Sequence, residues 1–433
     1  MTPRPYQVEG SLWLAQSPRA MLADPPGLGK TAQAILGAKL IQASLIYIVC
    51  PAVAVANWLR EWRDWWPDGP YPIVVSFDKV VADKKLRVLI SLGADLLIID
   101  EGHYLKTPTA KRTKAIYNTT NPDRGLASRA KNVWVLSGTF APNNVSEYWT
   151  HLRALFPELI TQPGAPRPMS HMEFLVYFTH WTPTVYGPKI HAVRNRPELS
   201  RILNQAGLRR EIADVLPDLP ELIWGQLTID SDEARQEIEK LEATSDIQDL
   251  YSRIKDHDDF HANTLHLATL RRLIGQSKAQ SIVRLVGAEL AADAYPKVVI
   301  WAHHKDVIRT LAEGLRHFNA VVIDGSTSAV QRERNAHAFE TSEVVRVFIG
   351  QIQAAGVAIN LTAANQVVFA ESSWVPAEML QAAKRCHRYG QTKPVFVRIS
   401  ALARSIDELV AATQTRKLSS HLEIGEPIYA SQH

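Results

Sequence analysis

The segment Ala23–Thr31 has residue types and a spacing that suit the binding of phosphate groups. Gly27 and Gly29 allow the backbone to approach an anion closely and to turn its N–H groups inward. A helix that begins after Lys30 would direct the positive end of its dipole to the same place. Lys30 would then reach the β- and γ-phosphates of a nucleotide, and the Thr31 hydroxyl would bind Mg²⁺.

The strict phosphate-loop pattern begins with glycine, whereas this chain has Asp24. Taken alone, the segment could therefore be a glycine turn that caps a helix. The apolar run Leu96–Ile99 changes this interpretation, because it predicts a strand that is followed by two carboxylates, Asp100 and Glu101. Asp100 can hold Mg²⁺ through water, and Glu101 can polarise an attacking water molecule. A phosphate loop followed by this pair predicts an enzyme that hydrolyses a nucleoside triphosphate.

A third segment, Gln381–Gln391, contains arginines that could neutralise phosphate charge. If the segment is helical, Gln381, Arg385 and Arg388 lie on one face. A planar guanidinium can bind two phosphate oxygens at once, and phosphoryl transfer needs positive charge at the γ-phosphate. Without the other motifs, the same residues would indicate a basic surface helix. The neighbouring cations could also lower the pKa of the Cys386 thiol.

Short apolar runs alternate with helical patterns on both sides of a more helical middle. The first part predicts strands at Leu45–Val49, Ile73–Val75, Leu96–Ile99 and Val133–Leu136, and helices at Thr31–Ile41 and Val55–Trp66. The last part predicts strands at Val298–Trp301, Val321–Ile323, Val345–Ile349, Val367–Phe369 and Val395–Ile399. Buried strands that alternate with helices are typical of parallel sheets, so we expect two α/β lobes around a helical middle.

Composition limits what else the chain can be. The 433 residues include 48 Lys and Arg and 44 Asp and Glu, a difference of +4. This charge does not require a polyanionic partner, although it allows a local basic groove. Two cysteines cannot build a disulfide framework or a cysteine-based zinc site. The sequence predicts no signal peptide and no membrane span, so we expect a cytoplasmic protein in a bacterial or phage-infected cell.

Motifs along nearly the whole chain resemble, in order, those of the Snf-type ATPases, a family of superfamily-two helicase-like motors. The matching segments are Arg4–Gln7, Ala23–Thr31, Ile48–Pro51, Asn57–Glu61, Asp100–Lys106, Leu136–Thr139, Asn143–Asn144, Leu208–Pro220, Ile323–Thr327, Gln331–Arg332, Phe339, Ala354–Leu361 and Gln381–Gln391. The residues at Ile352–Gly356, Val368–Glu371 and Trp374–Pro376 are most similar to the annealing-helicase branch of this family. The chain departs from the family pattern at Phe140, Gln351, Gln353 and Ala358.

The resemblance implies an α/β fold of two RecA-like lobes with parallel sheets and helical insertions between them. The implied divisions are a first, ATP-binding lobe over 1–150, a helical insertion of that lobe over 151–222, a linker and helical protrusion of the second lobe over 223–296, and the second lobe over 297–433. A strand-separating hairpin could also lie within Thr161–Pro188.

The resemblance also implies roles for single residues, with ATP and Mg²⁺ as cofactors. ATP would contact Arg4, Gln7, Pro26, Gly27, Leu28, Gly29, Lys30 and Thr31. Thr31 and Asp100 would bind Mg²⁺, and Glu101, Arg385 and Arg388 would be catalytic. Nucleotide state would be coupled to nucleic acid by His103, Ser137, Thr139 and Gln381. Nucleic acid would contact Asn57, Ser76, Arg209 and Arg210.

Other residues indicate simpler roles or leave two interpretations open. Arg194, Arg196 and Arg201 could belong to a duplex-binding groove, but they suit a solvated basic face equally well. The tryptophans Trp58, Trp62 and Trp65 fit one helical face and indicate packing rather than base stacking. The pair His303–His304 lacks a companion ligand at metal-binding spacing.

Together these observations predict a DNA-dependent ATPase that moves along double-stranded or branched DNA as a monomer. Three alternatives remain open, namely strand annealing or fork remodelling, true separation of DNA or RNA strands, and a nucleic-acid-binding scaffold with an inactive ATPase core. The complete hydrolytic set argues against the inactive scaffold.

Overall fold

Apolar runs bounded by turn residues form the strands of two parallel sheets, one in each half of the chain. The structure is a computed structural model that describes residues 2–141, 144–184, 187–257, 265–352, 359–373 and 376–423. The described residues up to Pro217 form one compact unit, and those from Asp218 onward form a second. We call these units the first and second lobes.

The first lobe contains a six-stranded sheet and a separate hairpin. Its strands are β1 (Arg19–Leu22), β2 (Ile46–Cys50), β3 (Ile73–Ser76), β4 (Ala94–Asp100), β5 (Ala130–Leu136), β6 (Thr179–Thr184), β7 (Gly187–Val193) and β8 (Gly207–Leu208). The sheet has the order β3-β2-β4-β5-β1-β8, and all of its neighbouring pairs are parallel. Strands β6 and β7 form the hairpin and are antiparallel.

Helices cover this sheet on both faces. They are α1 (Pro5–Gln16), α2 (Lys30–Leu40), α3 (Val55–Trp65), α4 (Phe77–Ala82), α5 (Lys84–Ser91), α6 (Lys111–Ile116), α7 (Tyr148–Leu155), α8 (His171–Phe178), α9 (Arg196–Ala206) and α10 (Ile212–Val215). The central strands are apolar on both sides because both sides are buried. Leu97 and Ile99 join one core, whereas the ring of Trp134 lies on the other face beside Gly37 of α2, where an added Cβ would come within 3.1 Å.

The second lobe contains another six-stranded parallel sheet. Its strands are β9 (Leu222–Ile229), β10 (Val298–Ala302), β11 (Val321–Ile323), β12 (Val347–Gln351), β13 (Gln366–Phe369) and β14 (Val395–Leu402). Its helices are α11 (Arg235–Glu242), α12 (Ser245–His257), α13 (Leu265–Ala291), α14 (Lys305–Gly314), α15 (Ala329–Thr341), α16 (Pro376–Ala383) and α17 (Ile406–Glu423). The strand order is β11-β12-β10-β13-β14-β9, with every pair parallel.

The predicted fold class of two lobes with parallel sheets is confirmed. Each predicted strand is present, with ends that differ by a few residues. The structure adds β6, β7 and β8 within the region predicted as a helical insertion, and it adds β9 at the edge of the second sheet. These strands are short or lack strong apolar runs, so the sequence pattern did not reveal them. The predicted domain boundaries stay predictions.

Strand order in the first lobe places three motifs at one edge of the sheet. The phosphate loop follows β1, Asp100 ends β4, and Ser137 follows β5. Since β4, β5 and β1 are neighbours and parallel, their carboxyl ends meet at the same edge, where ligands bind in open α/β sheets. Among the helices of the described ranges, none is both long enough and apolar enough to cross a membrane.

Candidate active site

The phosphate loop joins β1 to α2 through two glycines in the left-handed region. Gly27 has φ +102° and Gly29 has φ +68°, conformations that side chains rarely adopt. Space is also limited, because an added Cβ at Gly29 would lie 2.4 Å from the side-chain nitrogen of Gln7. At Gly138, an added Cβ would lie 2.7 Å from the Pro26 ring. The loop conformation therefore requires glycine at positions 27 and 29 of the loop and at position 138 of the neighbouring Ser137–Thr139 turn.

Gln7 connects the start of the chain to this loop. Its Oε1 accepts a 3.0 Å hydrogen bond from the backbone N–H of Arg4 and so caps the first turn of α1. The Gln7 side chain is buried, and its amide lies against Gly29. The structure thus brings Gln7 to the phosphate loop, with the backbone of Arg4 bonded to it, and the contact of both residues with ATP stays a prediction.

Lys30 begins α2 and is held at the mouth of the loop. Its Nζ donates a 2.7 Å hydrogen bond to the backbone carbonyl of Asp24. Burial lowers the pKa of Lys30 from its ordinary value, and the carboxylates of Glu101, Asp24 and Asp100 oppose that shift. The ammonium therefore lies beside the carboxylates that would share a bound nucleotide with it. Thr31 follows in the first turn of the same helix.

Asp100 and Glu101 leave the carboxyl end of β4 with defined orientations. Trp58 Nε1 donates a 2.8 Å hydrogen bond to Asp100 Oδ2, and the backbone N–H of Glu101 donates to Asp100 Oδ1 at 3.0 Å. Burial, followed by the charge of Glu101, raises the pKa of Asp100. A cation near both groups would remove this repulsion. Glu101 itself has φ +52°, an uncommon backbone conformation for a residue with a side chain.

His103 links the carboxylate pair to the Ser137–Thr139 turn. Its Nδ1 lies 3.2 Å from Glu101 Oε2 and 3.4 Å from Ser137 Oγ. Ser137 Oγ in turn donates to the carbonyl of Thr139 at 2.7 Å. The predicted coupling residues of the first lobe therefore form a continuous chain of contacts that starts at Glu101.

Asp24, which replaces the usual glycine, forms a buried ion pair behind the loop. The Asp24 side chain is fully buried, and its carboxylate accepts hydrogen bonds from the backbone and the guanidinium of Arg210. Gln33 of α2 donates to the same carboxylate at 3.0 Å and accepts from Arg210 at 2.7 Å. The geometry therefore gives Arg210 a structural role, and its predicted contact with nucleic acid stays a prediction.

Arg209 also lies close to the nucleotide site. Its side chain is only 8% exposed, with Nε 3.2 Å from a carboxylate oxygen of Glu211. One terminal nitrogen donates to the carbonyl of Gly138 at 3.5 Å. The positive charge of Arg209 contributes to the lowered pKa of Lys30. Arg209 therefore lies beside the phosphate loop, and its predicted contact with nucleic acid stays a prediction.

Asn57 and Ser76, the other two predicted nucleic-acid contacts, begin helices near the carboxyl ends of β2 and β3. Asn57 lies in the first turn of α3 and accepts a hydrogen bond from Arg60. Ser76 caps α4, since its Oγ accepts from the N–H of Lys79 at 3.2 Å. Both side chains thus have local structural partners, and their predicted nucleic-acid contacts stay predictions.

In the second lobe, α16 ends at Ala383, so the condition under which Gln381, Arg385 and Arg388 would share one helical face is not met. The carbonyl of Arg385 accepts a 3.0 Å hydrogen bond from the backbone N–H of Leu361, which removes it from a helical ladder. Gln381 lies in the last turn of α16, whereas the two arginines lie in the turns that follow. Their catalytic roles stay predictions.

Gln391 holds these turns in place. Its Nε2 donates to the carbonyls of Thr362, Ala364 and Cys386 at 3.1, 2.9 and 3.2 Å. Its Oε1 accepts from the next two backbone N–H groups, both at 3.0 Å. Cys386 is fully buried among these turns, and burial raises the pKa of its thiol. The sequence left open whether nearby cations lower this pKa, and burial has the opposite effect.

The departures from the family pattern have local explanations where the structure describes them. Phe140 is buried in the first core, with its ring edge-on to His151 at 5.1 Å. Gln351 ends β12 and joins two neighbouring loops, because it accepts from the N–H of Gly325 at 2.8 Å and donates to the carbonyl of His303 at 2.9 Å. Gln353 and Ala358 lie outside the described residues, as does Asn143.

The sequence analysis did not assign functional positions to Trp58 and Gln33. Trp58 was interpreted as a packing residue, which is correct for its ring but overlooks its bond to Asp100. Gln33 lies one turn after Lys30, and that spacing is the only signal that would have pointed to it. The pair His303–His304 also has a role, since both backbone N–H groups donate to Glu371 Oε2 at 2.8 Å.

Two known protein families match adjoining parts of the chain. The SNF2-related domain matches residues 69–277, and the helicase conserved C-terminal domain matches residues 277–390. Together these matches include the Asp100–Glu101 pair in the first lobe and the Arg385–Arg388 turns in the second. The two matches extend over most of the chain.

Two curated relatives of this chain are longer than it is, and one solved structure matches it over nearly its whole length. The chain is 30% identical to the SWI/SNF-related matrix-associated actin-dependent regulator of chromatin subfamily A-like protein 1 homolog of Caenorhabditis elegans, over 96% of this chain and 60% of that protein. It is 26% identical to the DNA annealing helicase and endonuclease ZRANB3 of Mus musculus, over 95% of this chain and 40% of that protein. A solved structure, the Sulfolobus solfataricus SWI2/SNF2 ATPase core in complex with dsDNA, is 21% identical over 99% of this chain and 96% of that one, with a TM-score of 0.44.

The chain thus spans about half the length of the curated relatives that it matches, and the predicted similarity to annealing helicases is confirmed. The sequence motifs, the parallel sheets that position them and the two adjoining family matches agree with one another. We conclude that this chain carries an SNF2-related domain over residues 69–277, followed by a helicase conserved C-terminal domain over residues 277–390.

Proposed function

We propose that this chain is a DNA-dependent ATPase that moves along double-stranded DNA. The observation that carries the proposal is the meeting of Lys30, the Asp100–Glu101 pair and the Ser137–Thr139 turn at one edge of the first sheet. Lys30 and the first N–H groups of α2 would hold the β- and γ-phosphates of ATP. This arrangement suits phosphoryl transfer, in which positioning and charge neutralisation supply most of the catalysis.

The residues present also fit a divalent cation. Burial and the charge of Glu101 raise the pKa of Asp100, so a nearby cation would offset the cost of ionising this carboxylate. Two hydrogen bonds set the orientation of the same carboxylate. Thr31 and Asp100 would hold Mg²⁺, which supplies neutralisation of the phosphate oxygens when it is bound. Glu101 would orient the attacking water and accept its proton. We assign to Arg385 and Arg388 of the second lobe the neutralisation of charge at the γ-phosphate.

Coupling to DNA would pass through the contacts of His103. Since His103 lies against both Glu101 and Ser137, a change at the γ-phosphate would alter the Ser137–Thr139 turn. The choice of DNA is supported by the name of one relative, a DNA annealing helicase and endonuclease. We expect contacts mainly with phosphates, and hence binding without sequence preference that weakens as salt is raised.

The proposal is tested by ATPase rates with duplex DNA, single-stranded DNA, forked DNA and RNA. Lys30→Ala should abolish hydrolysis, because the β- and γ-phosphates lose their cation. Lys39→Ala, an exposed lysine near the end of the same helix, should retain the wild-type rate. Stimulation by RNA alone, or DNA-dependent activity that survives Lys30→Ala, would overturn the proposal.

Strand annealing or fork remodelling is a second candidate, favoured by the similarity to an annealing helicase. The two functions differ in their products. Displacement of a triplex-forming strand reports movement along duplex DNA, whereas recovery of duplex from complementary strands reports annealing. A separate assay with a partial duplex would detect true strand separation.

A further inference from the structure

Strands β6 and β7 form a hairpin that joins neither parallel sheet of the described chain. An isolated two-stranded hairpin is at best marginally stable in water, so it persists only when its base is fixed or when a partner covers it. The hairpin lies between α8 and α9 in the first lobe, and residues 185 and 186 at its tip are outside the described residues. We call the described part, 179–184 and 187–193, the ribbon.

The base of the ribbon is anchored to the core of the first lobe. The backbone N–H of Arg194 donates to the carbonyl of Phe178 at 2.7 Å, and the Asn195 amide donates to the carbonyl of Tyr177 at 2.9 Å. Thr179 Oγ1 bonds back to the carbonyl of Leu175 at 2.6 Å. Since Phe178 is buried in the core, these bonds set the direction in which the ribbon leaves the lobe.

The two faces of the ribbon differ. Trp181 pairs with Ile190 across the strands, and both side chains are half-buried. The opposite face carries exposed His180, Thr182 and His191, with Thr182 Oγ1 2.8 Å from His191 Nε2. The ribbon is thus apolar on one side and polar on the other, although no third strand pairs with it among the described residues.

Within the sequence of the ribbon and its immediate flanks, the charged side chains are all positive. The sequence between Glu173 and Glu198 contains no aspartate or glutamate, while it contains one lysine and two arginines. The arginines, Arg194 and Arg196, directly follow β7 and are exposed. Neither makes an ion pair with any residue in the described ranges, in contrast to Arg201, which is paired with Glu198 at 2.7 Å. This concentration of positive charge contrasts with the +4 of the whole chain.

We infer that the ribbon and the two arginines at its base form a DNA contact of the first lobe, an inference that rests on the proposed function. Arg194 and Arg196 would bind backbone phosphates, which a guanidinium can do through two hydrogen bonds. A two-stranded ribbon is narrow enough to enter the major groove, so the exposed polar face could lie against the DNA while the base holds phosphates. The stretch without acidic residues suits a polyanion along its whole length.

The salt dependence of DNA binding tests this inference. Each phosphate contact releases counterions and contributes about 0.9 to the slope of log K against log salt concentration. The double variant R194Q/R196Q should therefore bind a duplex more weakly than the wild type and with a slope smaller by about 1.8. The matched control is K84Q/K85Q, which removes two exposed charges at the start of α5 in the same lobe. Fluorescence anisotropy of the full chain with labelled duplex DNA, at several salt concentrations, gives both quantities.

Two outcomes would separate this inference from the proposed function. If the wild-type chain binds duplex DNA and R194Q/R196Q has the affinity and slope of K84Q/K85Q, the ribbon contact is wrong while the motor proposal stands. If the wild-type chain does not bind DNA, the proposed function fails first and the inference fails with it. A thermal melting temperature equal to that of the wild type would show that R194Q/R196Q is folded. If the double variant does not fold, the single variants R194Q and R196Q should each lower the slope by about 0.9.

Discussion

The indole Nε1 of Trp58 donates a 2.8 Å hydrogen bond to Oδ2 of Asp100, the carboxylate that ends the central strand β4. Trp58 is 1% exposed and belongs to α3, which packs on the sheet beside the phosphate loop. The other Asp100 oxygen accepts the backbone N–H of Glu101. One buried indole therefore sets the direction of the carboxylate that we propose as a Mg²⁺ ligand, as outer-shell groups do at metal sites.

Replacing Trp58 with phenylalanine should weaken Mg²⁺ binding while it preserves most of the packing. Loss of an outer-shell hydrogen bond typically lowers metal affinity about 10–100-fold. We expect Trp58→Phe to raise the Mg²⁺ concentration for half-maximal ATPase activity by about tenfold, with part of the maximal rate retained at saturating Mg²⁺. An ATPase titration with Mg²⁺ measures both quantities.

The control for that prediction is Trp65→Phe on the same helix. The Trp65 indole donates to Glu61 Oε2 at 3.0 Å, so the same chemical change removes a bond far from the carboxylate pair. Its Mg²⁺ requirement should equal that of the wild type. An equal Mg²⁺ requirement in Trp58→Phe would show that the indole is only a packing group.

Removing Arg210 should destabilise the first lobe strongly. In Arg210→Gln, the fully buried Asp24 carboxylate loses its cation, and breaking a buried pair costs about 3–5 kcal/mol. Arg201→Gln makes the same chemical change at an exposed pair with Glu198, which should cost no more than about 1 kcal/mol. Urea unfolding followed by tryptophan fluorescence compares the two variants. Equal unfolding midpoints would contradict the structural role assigned to Arg210.

His151 should make the stability of the first lobe depend on pH. Burial, with a smaller contribution from the charge of His103, lowers the pKa of His151 to about 3, and its Nδ1 lies 2.9 Å from the Tyr117 hydroxyl. In the unfolded chain His151 binds a proton near pH 6.5, whereas in the folded chain it does so only near pH 3. This contribution to stability is therefore fully present above about pH 6.5. It falls by about 1.4 kcal/mol for each pH unit below that value.

The measurement compares the wild type with His151→Asn, which keeps an acceptor for Tyr117 but cannot titrate in this range. Between about pH 6.5 and pH 4.5, the free energy of unfolding of the variant should fall less steeply than that of the wild type. The difference between the two slopes should correspond to about one proton taken up on unfolding. His387 in the second lobe, whose pKa burial lowers to about 4, should contribute to the slope that remains, as should His171 and His303, whose pKa values burial also lowers. Parallel stability profiles for the two proteins would mean that His151 titrates normally.

Gln391→Glu should disrupt the turns that carry Arg385 and Arg388. The substitution is nearly isosteric, but it places a carboxylate oxygen where Nε2 now donates to three carbonyls. Leaving buried polar groups unsatisfied costs about 1–3 kcal/mol, and repulsion adds to this cost. We expect a lower melting temperature and a lower maximal ATPase rate.

The exposed Gln331 provides the matched control for that change. Its Nε2 bonds only to the neighbouring Asn335 at 2.6 Å, on the surface of α15. Gln331→Glu should change stability by no more than about 0.5 kcal/mol, as surface substitutions usually do. If Gln391→Glu behaves like this control, the amide does not organise the arginine turns.

The elements that the sequence predicted correctly depend on local patterns. The strands around Leu97 and Ile349 are short apolar runs, and the phosphate loop depends on Gly27 and Gly29 within a few residues. The conformation at Arg385 depends on a distant contact, since its carbonyl bonds to Leu361, a partner that no local periodicity reveals. The pKa of the Cys386 thiol could not be judged from the sequence for a related reason, since burial outweighs the nearby positive charges that the sequence shows.

By itself, the sequence determined the α/β class, the order of the motifs and the residues that could hold phosphate and Mg²⁺. Only the tertiary structure decided how those residues are oriented and which of them also have structural partners. Arg210 lies 186 residues after Asp24 in the chain, yet the two meet as a buried ion pair behind the phosphate loop. Hydrophobic periodicity and glycine spacing are local properties of the chain, whereas hydrogen bonds and desolvation depend on neighbours that folding alone brings together.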